Sequence, residues 1–260
     1  QDDSAVDGYD GKLLGKLSKF EIFGMLFKQS RMVDLFMNIL RPWKLSPEAL
    51  TYIILLAAGL PTAYAGVSSV FVPFGPCFRP GYAYWLCVGN RRPHKNEVRV
   101  VEAFAKANLG HAIKLVFTGV VSTGLRHAIE CCNVGCDVVF LGGDISDEDL
   151  AAVYRGAVGL VFPSLYEGFG LPVVEAMACG TPVVTSTVTA LPEVAGGAAL
   201  LVDPTSVDAI ASAITKVTVD AGLRDRMREL GIKNANRFSW DNVAENVLNA
   251  LHGFFMDKKN

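Results

Sequence analysis

From Tyr82 onward the chain alternates short apolar runs with amphipathic segments, and this alternation permits few folds. Runs such as YAYWLCVG, IKLVFTG and VGLVFPS have the length and the β-branched and aromatic content of strands buried on both faces. The segments between them, such as NEVRVVEAFAKAN and SDEDLAAVYRGA, have helical periodicity. We therefore predict an α/β fold over residues 81–260, a doubly wound parallel-sheet Rossmann-like domain that ends with the helix WDNVAENVLNALHGFF.

Residues 1–80 lack this alternation and predict a separate N-terminal portion. Its first part is basic and helical in pattern, and the following segment, LTYIILLAAGLPTAYAGVSSVFVPFGPCF, carries no charge. Because Gly59, Pro61 and Gly66 interrupt that segment, buried strands and helix are favoured over a membrane span. A membrane-spanning helix and a peripheral membrane contact through residues 1–80 stay open as alternatives.

Composition excludes several classes of protein. With 51% hydrophobic and 19% charged residues, the chain can bury a large core and is not a disordered protein. A net charge of -2 gives no general attraction to nucleic acid, so we expect no nucleic-acid partner. Six cysteines are too few for a disulfide scaffold, and ECCNVGC has no histidine at ligand spacing, which favours reduced thiols over a metal centre. We expect a cytoplasmic protein, with a position at the inner face of the membrane left open.

The stretch SLYEGFGLPVVEAMACGTPVV predicts an anion site. The preceding strand ends near Ser164, so residues 166–171 lie at the carboxyl edge of the sheet, where such folds bind ligands. Pro172 suits the first position of a helix and Gly180 its end. The backbone N–H groups of the entry loop and the positive helix end would bind an anion. The residues of that loop are Tyr166, Gly168, Phe169, Gly170 and Leu171.

Two carboxylates flank this loop. Glu167 precedes the glycines, and we expect Glu175 in the first turn of the helix. Carboxylates accept hydrogen bonds from hydroxyl groups. A ligand with phosphates in its middle and hydroxyl-rich sugars at both ends fits this arrangement, which points to a nucleotide sugar.

The segment VGNRRPHKN follows the first strand and supplies positive charge at the same sheet edge. Arg91, Arg92 and Lys95 stand just before a helix that we expect to begin near Asn96 or Glu97. Such side chains bind a diphosphate, arginine through a bidentate fork and lysine as a point charge. The pattern does not separate the roles of the two arginines, and His94 is interpreted as a surface or structural residue.

The chain from about Tyr82 to Phe255 resembles the donor-binding half of a retaining glycosyltransferase of family four, which has the two-domain GT-B architecture. The likeness is carried by VGNRRPHKN, by FLGGDISDEDLAAVYRGAVGLVFPSLYEGFGLPVVEAMACGTPVVTS, by LPEVAGGAALLVDP and by FSWDNVAENVLNAL. It implies transfer of a hexose from a nucleotide-diphosphate sugar to a glycan or lipid-linked acceptor with retained configuration. PHKN favours GDP-mannose as the donor.

The resemblance also implies roles for matched residues. Glu175 would bind the ribose hydroxyls, and Glu167 would contact the transferred sugar near its reacting carbon. Lys95, with Arg91 or Arg92, would neutralise the departing diphosphate, so that neither a metal nor a cofactor is required besides the nucleotide-sugar substrate. The donor-binding set is completed by the loop N–H groups of residues 168–171, by Tyr166, and by Gly143 and Ile145 near the base.

Three departures from the family pattern stand out. Asn90 occupies a position where the family often has arginine, and the GGDIS segment is one residue longer than usual. Residues 1–80 are too few for a complete second domain, which predicts a truncated or reduced acceptor domain. An alternative is therefore a non-catalytic nucleotide-sugar-binding module or a partner subunit of a larger transferase, and an epimerase or phosphorylase is a third candidate.

Overall fold

A computed structural model of the chain describes residue 71 and residues 73–238. The expectations for residues 1–70 and for the helix over residues 240–255 lie outside the described residues. The boundary placed at residue 80 stays a prediction.

Six parallel strands form one sheet, in the order β3-β2-β1-β4-β5-β6. This order confirms the doubly wound parallel sheet, because the chain builds outward from β1 in one direction and returns to its other side with β4. The β1–β2 ladder aligns five residue pairs, whereas the β1–β4 ladder aligns two, Trp85 with Gly159 and Leu86 with Leu160. The strands are β1 (Ala83–Cys87), β2 (Ile113–Thr118), β3 (Val138–Leu141), β4 (Gly159–Phe162), β5 (Val183–Ser186) and β6 (Leu200–Val202).

Helices connect the strands and follow the last one. They begin and end within about three residues of the sequence patterns, except that the short helix Leu191–Ala195 was not predicted. Within residues 73–238, no helix has both the length and the apolar character needed to cross a membrane. The helices are α1 (Glu97–Ala107), α2 (Thr123–Cys131), α3 (Asp147–Gly156), α4 (Leu171–Ala178), α5 (Leu191–Ala195), α6 (Val207–Val219) and α7 (Ala221–Ala235).

The apolar core lies on both faces of the sheet, as continuous apolar strands predict. Successive residues of β1 point to opposite faces: Tyr84 and Leu86 pack in one layer with α3 and α4, and Trp85 and Cys87 pack in the other with α1 and α6. The polar tips of the two large side chains are satisfied inside these layers. The Tyr84 hydroxyl donates to the Val153 carbonyl at 2.7 Å, and Trp85 Nε1 donates to a threonine hydroxyl of α6 at 2.9 Å.

Helix caps explain where the elements begin. Ser146 caps α3, because its hydroxyl accepts a hydrogen bond from the Asp149 amide at 3.1 Å. Ser122 and Ser206 cap α2 and α6 in the same way. Asn96 stands before α1 in the left-handed conformation that asparagine tolerates, with φ 61°. Its buried side chain makes no capping hydrogen bond: its Oδ1 accepts from Arg99 Nη1 of α1 at 2.8 Å, and its amide donates outside the helix.

Candidate functional site

The loops that follow β1 and β4 meet at the carboxyl edge of the sheet. The two strands are neighbours in the sheet, although β2 and β3 separate them in the chain. Two hydrogen bonds reach the His94 carbonyl from the second loop, one from the Leu165 amide at 2.7 Å and one from the Ser164 hydroxyl at 2.8 Å. The buried Asn96 amide donates to the Pro163 carbonyl at 2.9 Å. These bonds hold the basic loop against the loop that precedes α4.

Lys95 and Glu167 form an ion pair between these loops. Lys95 Nζ lies 2.6 Å from Glu167 Oε1, although 72 residues separate the two in sequence. Their side chains are 14% and 12% exposed, so each charge is largely removed from water and is compensated by the other. Lys95 Nζ also lies 4.9 Å from the centroid of the Phe162 ring, and the Ser164 hydroxyl lies 2.7 Å from the same Glu167 oxygen. The counter-charge for Glu167 in its apolar surroundings is therefore Lys95.

Arg91 is turned into the protein. Its φ of 62° lies in the left-handed region, and its guanidinium lies 5.3 Å and 5.6 Å from the ring centroids of Phe117 and Phe140. Its hydrogen bonds reach β2 and α1, so the guanidinium anchors the basic loop to both elements. Its hydrogen-bond acceptors are Glu97 Oε1 at 2.5 Å, the Val120 carbonyl at 2.7 Å and the Thr118 carbonyl.

Arg92 differs from its neighbour. It is exposed, and its guanidinium makes no hydrogen bond or ion pair with any residue in the described part of the chain. It lines a cleft of about 470 Å³ between the first turns of α1 and α2. The structure therefore leaves the Arg92 guanidinium available to a ligand and engages that of Arg91.

The glycine loop leads into α4 through a left-handed turn at Gly170, with φ 103°. Because this turn starts the helix at Leu171, Pro172 occupies the second helical position, and Glu175 falls in the second turn. The predictions of Pro172 at the first position and of Glu175 in the first turn are thus wrong. Gly180 follows the helix with φ 70°, which confirms the predicted stop.

Side chains of the entry loop divide into two groups. Tyr166 is 66% exposed and Leu171 is 41% exposed, so both are accessible to a ligand. Phe169 is buried, and its ring meets that of Phe238 edge-on at 5.5 Å, which anchors the loop to the core. The Glu167 amide donates to a threonine hydroxyl beyond β5 at 3.2 Å, so the start of the loop is also tied to the sheet.

Glu175 is bound to a buried tyrosine. The Tyr154 hydroxyl donates to Glu175 Oε2 at 2.9 Å. Burial raises the pKa of the Glu175 carboxyl and outweighs the hydrogen bond from Tyr154, which lowers it, while the nearby charge of Asp147 raises it further. Burial and the same carboxylate raise the pKa of Tyr154 well above its usual range, so this hydroxyl stays protonated as a donor.

Gly143 and Ile145 lie in the loop between β3 and α3. That loop is at the same edge of the sheet, but β2 and β1 stand between β3 and β4. The described contacts bring Lys95 and Glu167 together, and the charge of Asp147, two residues after Ile145, acts on Glu175. Across residue 71 and residues 73–238, no three or more His, Cys, Asp or Glu side chains form a group that could hold a metal ion. No disulfide joins the six cysteines.

Sequence reasoning missed four residues that shape the site: Tyr154, Ser164, Asn96 and Glu97. Ser164 and Asn96 carried a signal, because each directly ends or follows one of the two edge loops. Tyr154 and Glu97 are helical residues whose partners are set by packing. Their periodicity predicts only that they face the sheet.

A family model for glycosyl transferases group 1 matches residues 77–234. The chain is 48% identical over 108 residues to "O-antigen chain mannosyltransferase B" of Escherichia coli, a match that covers 42% of this chain and 28% of that protein. It is 43% identical over 112 residues to "MMP alpha-(1->4)-mannosyltransferase" of Mycolicibacterium hassiacum, covering 42% of this chain and 27% of the relative. The matches thus span little more than a quarter of the length of these relatives.

The fold is also that of a solved transferase structure. Sucrose-phosphate synthase from Thermosynechococcus elongatus superposes with a TM-score of 0.60 at 27% identity, over 76% of this chain and 51% of that one. The prediction of a GT-B donor half is confirmed at the level of fold and family. The chain belongs to the group 1 family of glycosyl transferases.

Proposed function

We propose that this chain is the donor-binding part of a glycosyltransferase that transfers a mannosyl group from GDP-mannose to a glycan or lipid-linked acceptor with retained anomeric configuration. The observation that carries the proposal is the Lys95–Glu167 pair at 2.6 Å, which lies where the sheet changes direction. Ligands of doubly wound sheets bind at that point. The family supplies the reaction class.

Charge develops on the diphosphate as the bond to the sugar breaks. Lys95 and the unengaged Arg92 would stabilise that charge, together with backbone N–H groups of the loop at residues 168–171. Preorganised positive groups in a site with little water are commonly the largest contribution to such catalysis. We therefore expect turnover without an added divalent cation, and activity that persists in EDTA is the outcome that supports this.

The proposed roles of the two glutamates follow from their surroundings. Glu167 shares the Lys95 ammonium with the incoming diphosphate, which would place this carboxylate beside the phosphate-linked carbon of the sugar. Glu175 has one oxygen held by Tyr154, and its other oxygen would accept from a ribose hydroxyl. Mannose and GDP are favoured by the PHKN segment and by the mannosyltransferase relatives.

Donor binding is tested by calorimetry with GDP, UDP, ADP and their hexose conjugates. We expect GDP and GDP-mannose to bind most tightly. Lys95→Met should weaken GDP binding by about 10- to 100-fold, because a charge-assisted hydrogen bond contributes about 1.5–3 kcal/mol. The matched control is Lys106→Met, because Lys106 is 55% exposed and pairs with Asp208 on the surface of α6. Equal affinities for K95M and K106M would contradict the proposed site.

Turnover distinguishes an enzyme from a binding module. Release of GDP from GDP-mannose, measured with and without a mannose-terminated glycan, is expected for the wild type and is expected to be lost in Lys95→Met and Glu175→Gln. Proton NMR of the product reports whether the anomeric configuration is retained. Tight donor binding without GDP release would instead support the non-catalytic module.

A further inference from the structure

We propose that Tyr154 is a positioning residue of the donor site, which holds the Glu175 carboxylate in one orientation and leaves one of its oxygens for the ligand. This inference rests on the proposed function for the role of Glu175 itself. Nothing in the sequence pattern assigns a function to Tyr154, which reads as a core residue of an amphipathic helix.

The packing of Tyr154 makes it a rigid donor. Its side chain is fully buried, and its ring meets that of Phe71 edge-on at 6.0 Å. Its carbonyl oxygen accepts from the Thr181 hydroxyl at 2.7 Å, just beyond the end of α4, and the Thr181 amide is bonded to Ala176 of that helix at 2.8 Å. Tyr154 therefore binds α4 in two places and fixes the hydroxyl relative to Glu175.

The hydrogen bond is directional and incomplete. Tyr154 donates to Oε2 at 2.9 Å, and it is the one described residue that donates to this carboxylate. An ionised carboxylate has about four acceptor sites, so Oε1 and the remaining lone pair of Oε2 are left for other donors. A vicinal diol, such as that of a ribose, supplies two donors at the spacing of one carboxylate.

The same hydroxyl opposes protonation of Glu175. Burial and the charge of Asp147 raise the pKa of this carboxyl, and the hydrogen bond from Tyr154 lowers it. In the described part of the chain, Tyr154 and Asp147, both of α3, are the titratable groups that act on Glu175. Removing the hydroxyl should therefore let Glu175 take up a proton at higher pH, and a protonated carboxyl is a weaker acceptor for the diol.

The test is Tyr154→Phe, which removes one oxygen atom. We expect its Kd for GDP to rise about tenfold, in line with the loss of one hydrogen bond to a charged group. We also expect the acidic limb of its affinity-versus-pH profile to move to higher pH. In turnover, KM for GDP-mannose should rise with little change in kcat, because the Glu175 carboxylate itself is still present to accept from the ribose.

Tyr84→Phe is the matched control. Tyr84 is also fully buried, and its hydroxyl donates to the backbone carbonyl of Val153 at 2.7 Å, next to Tyr154 in the chain. The same atom is thus deleted in the same layer of the core without touching Glu175. We expect Y84F to keep the wild-type GDP affinity and pH profile, and melting temperatures of the two variants should fall by similar amounts.

A second variant distinguishes loss of the hydrogen bond to Glu175 from misfolding of Y154F. In a Glu175→Gln background, which removes the buried charge, Tyr154→Phe should not weaken GDP binding further. An equal tenfold loss in that background, or a Y154F protein with wild-type affinity and pH profile, would overturn the positioning role. Wild-type affinity in Glu175→Gln alone would instead overturn the proposed role of Glu175, so the two failures are distinguishable.

Discussion

Replacing Gly170 with alanine should destabilise the fold far more than the same change at Gly168, two residues earlier. Gly170 has φ 103°, and a Cβ atom there would lie 2.5 Å from a methyl carbon of the fully buried Leu191. A Cβ at Gly168 would meet no heavy atom within 4 Å, and the φ of Gly168 is not in the left-handed region. The two glycines therefore separate a structural requirement from an open loop position.

The expected size follows from two effects. Strained backbone at a residue with a side chain costs about 1–3 kcal/mol. Forcing an extra methyl group into a packed core costs about 1–3 kcal/mol, and the loss of chain entropy in the unfolded state returns about 0.4–1 kcal/mol. We expect Gly170→Ala to lower the free energy of unfolding by about 2–5 kcal/mol. For Gly168→Ala we expect a change within about 0.5 kcal/mol.

Urea unfolding followed by circular dichroism measures both values, and the slope of the transition shows whether the native state keeps its compactness. If G170A and G168A unfold at the same urea concentration, then Leu191 yields to the methyl group, and the argument from close packing at the start of α4 is wrong.

Three further predictions concern charged groups. Arg91→Met should lower the free energy of unfolding, measured in urea, by about 3–5 kcal/mol. The reason is that it leaves the Glu97 carboxylate, whose side chain is 6% exposed, without its partner. Arg92→Met should change the same quantity by less than about 0.5 kcal/mol. Hydrogen bonds from Lys114 and His111, with their charges, outweigh burial and lower the pKa of Asp137. Wild type should therefore exceed Asp137→Asn in free energy of unfolding by a constant amount above about pH 4. This difference should vanish as the pH falls through the lowered pKa of Asp137. The pKa of Glu175 is raised, so Glu175→Gln should melt at a higher temperature than wild type at pH 7, with the gap closing below about pH 4.

The fold was predictable from sequence because short apolar runs alternate with helical segments along the chain. Parallel strands end at one edge, so the sequence also placed Lys95 and Glu167 at that edge. Their direct contact could not be predicted, because it depends on β1 and β4 being neighbours in the sheet.

Local backbone conformation accounts for the other surprises. Arg91 and Arg92 are adjacent, and the sequence does not distinguish their roles. Arg91 alone of the two has a positive φ, and its guanidinium lies against the Phe117 and Phe140 rings. The hydrogen bond from Tyr154 to Glu175 likewise depends on how α3 packs against α4. Side-chain direction and helix packing are therefore what the sequence pattern left undetermined.

The short ladder between β1 and β4 has a consequence for motion. The first three strands and the last three are each continuous in the chain, and two aligned residue pairs join them at this seam. A diphosphate bound by both edge loops would hold β1 and β4 together and would stabilise the pairing between them. Saturation with GDP should therefore slow amide hydrogen exchange in β1 and β4 together, while the outer strands β3 and β6 keep their own exchange rates.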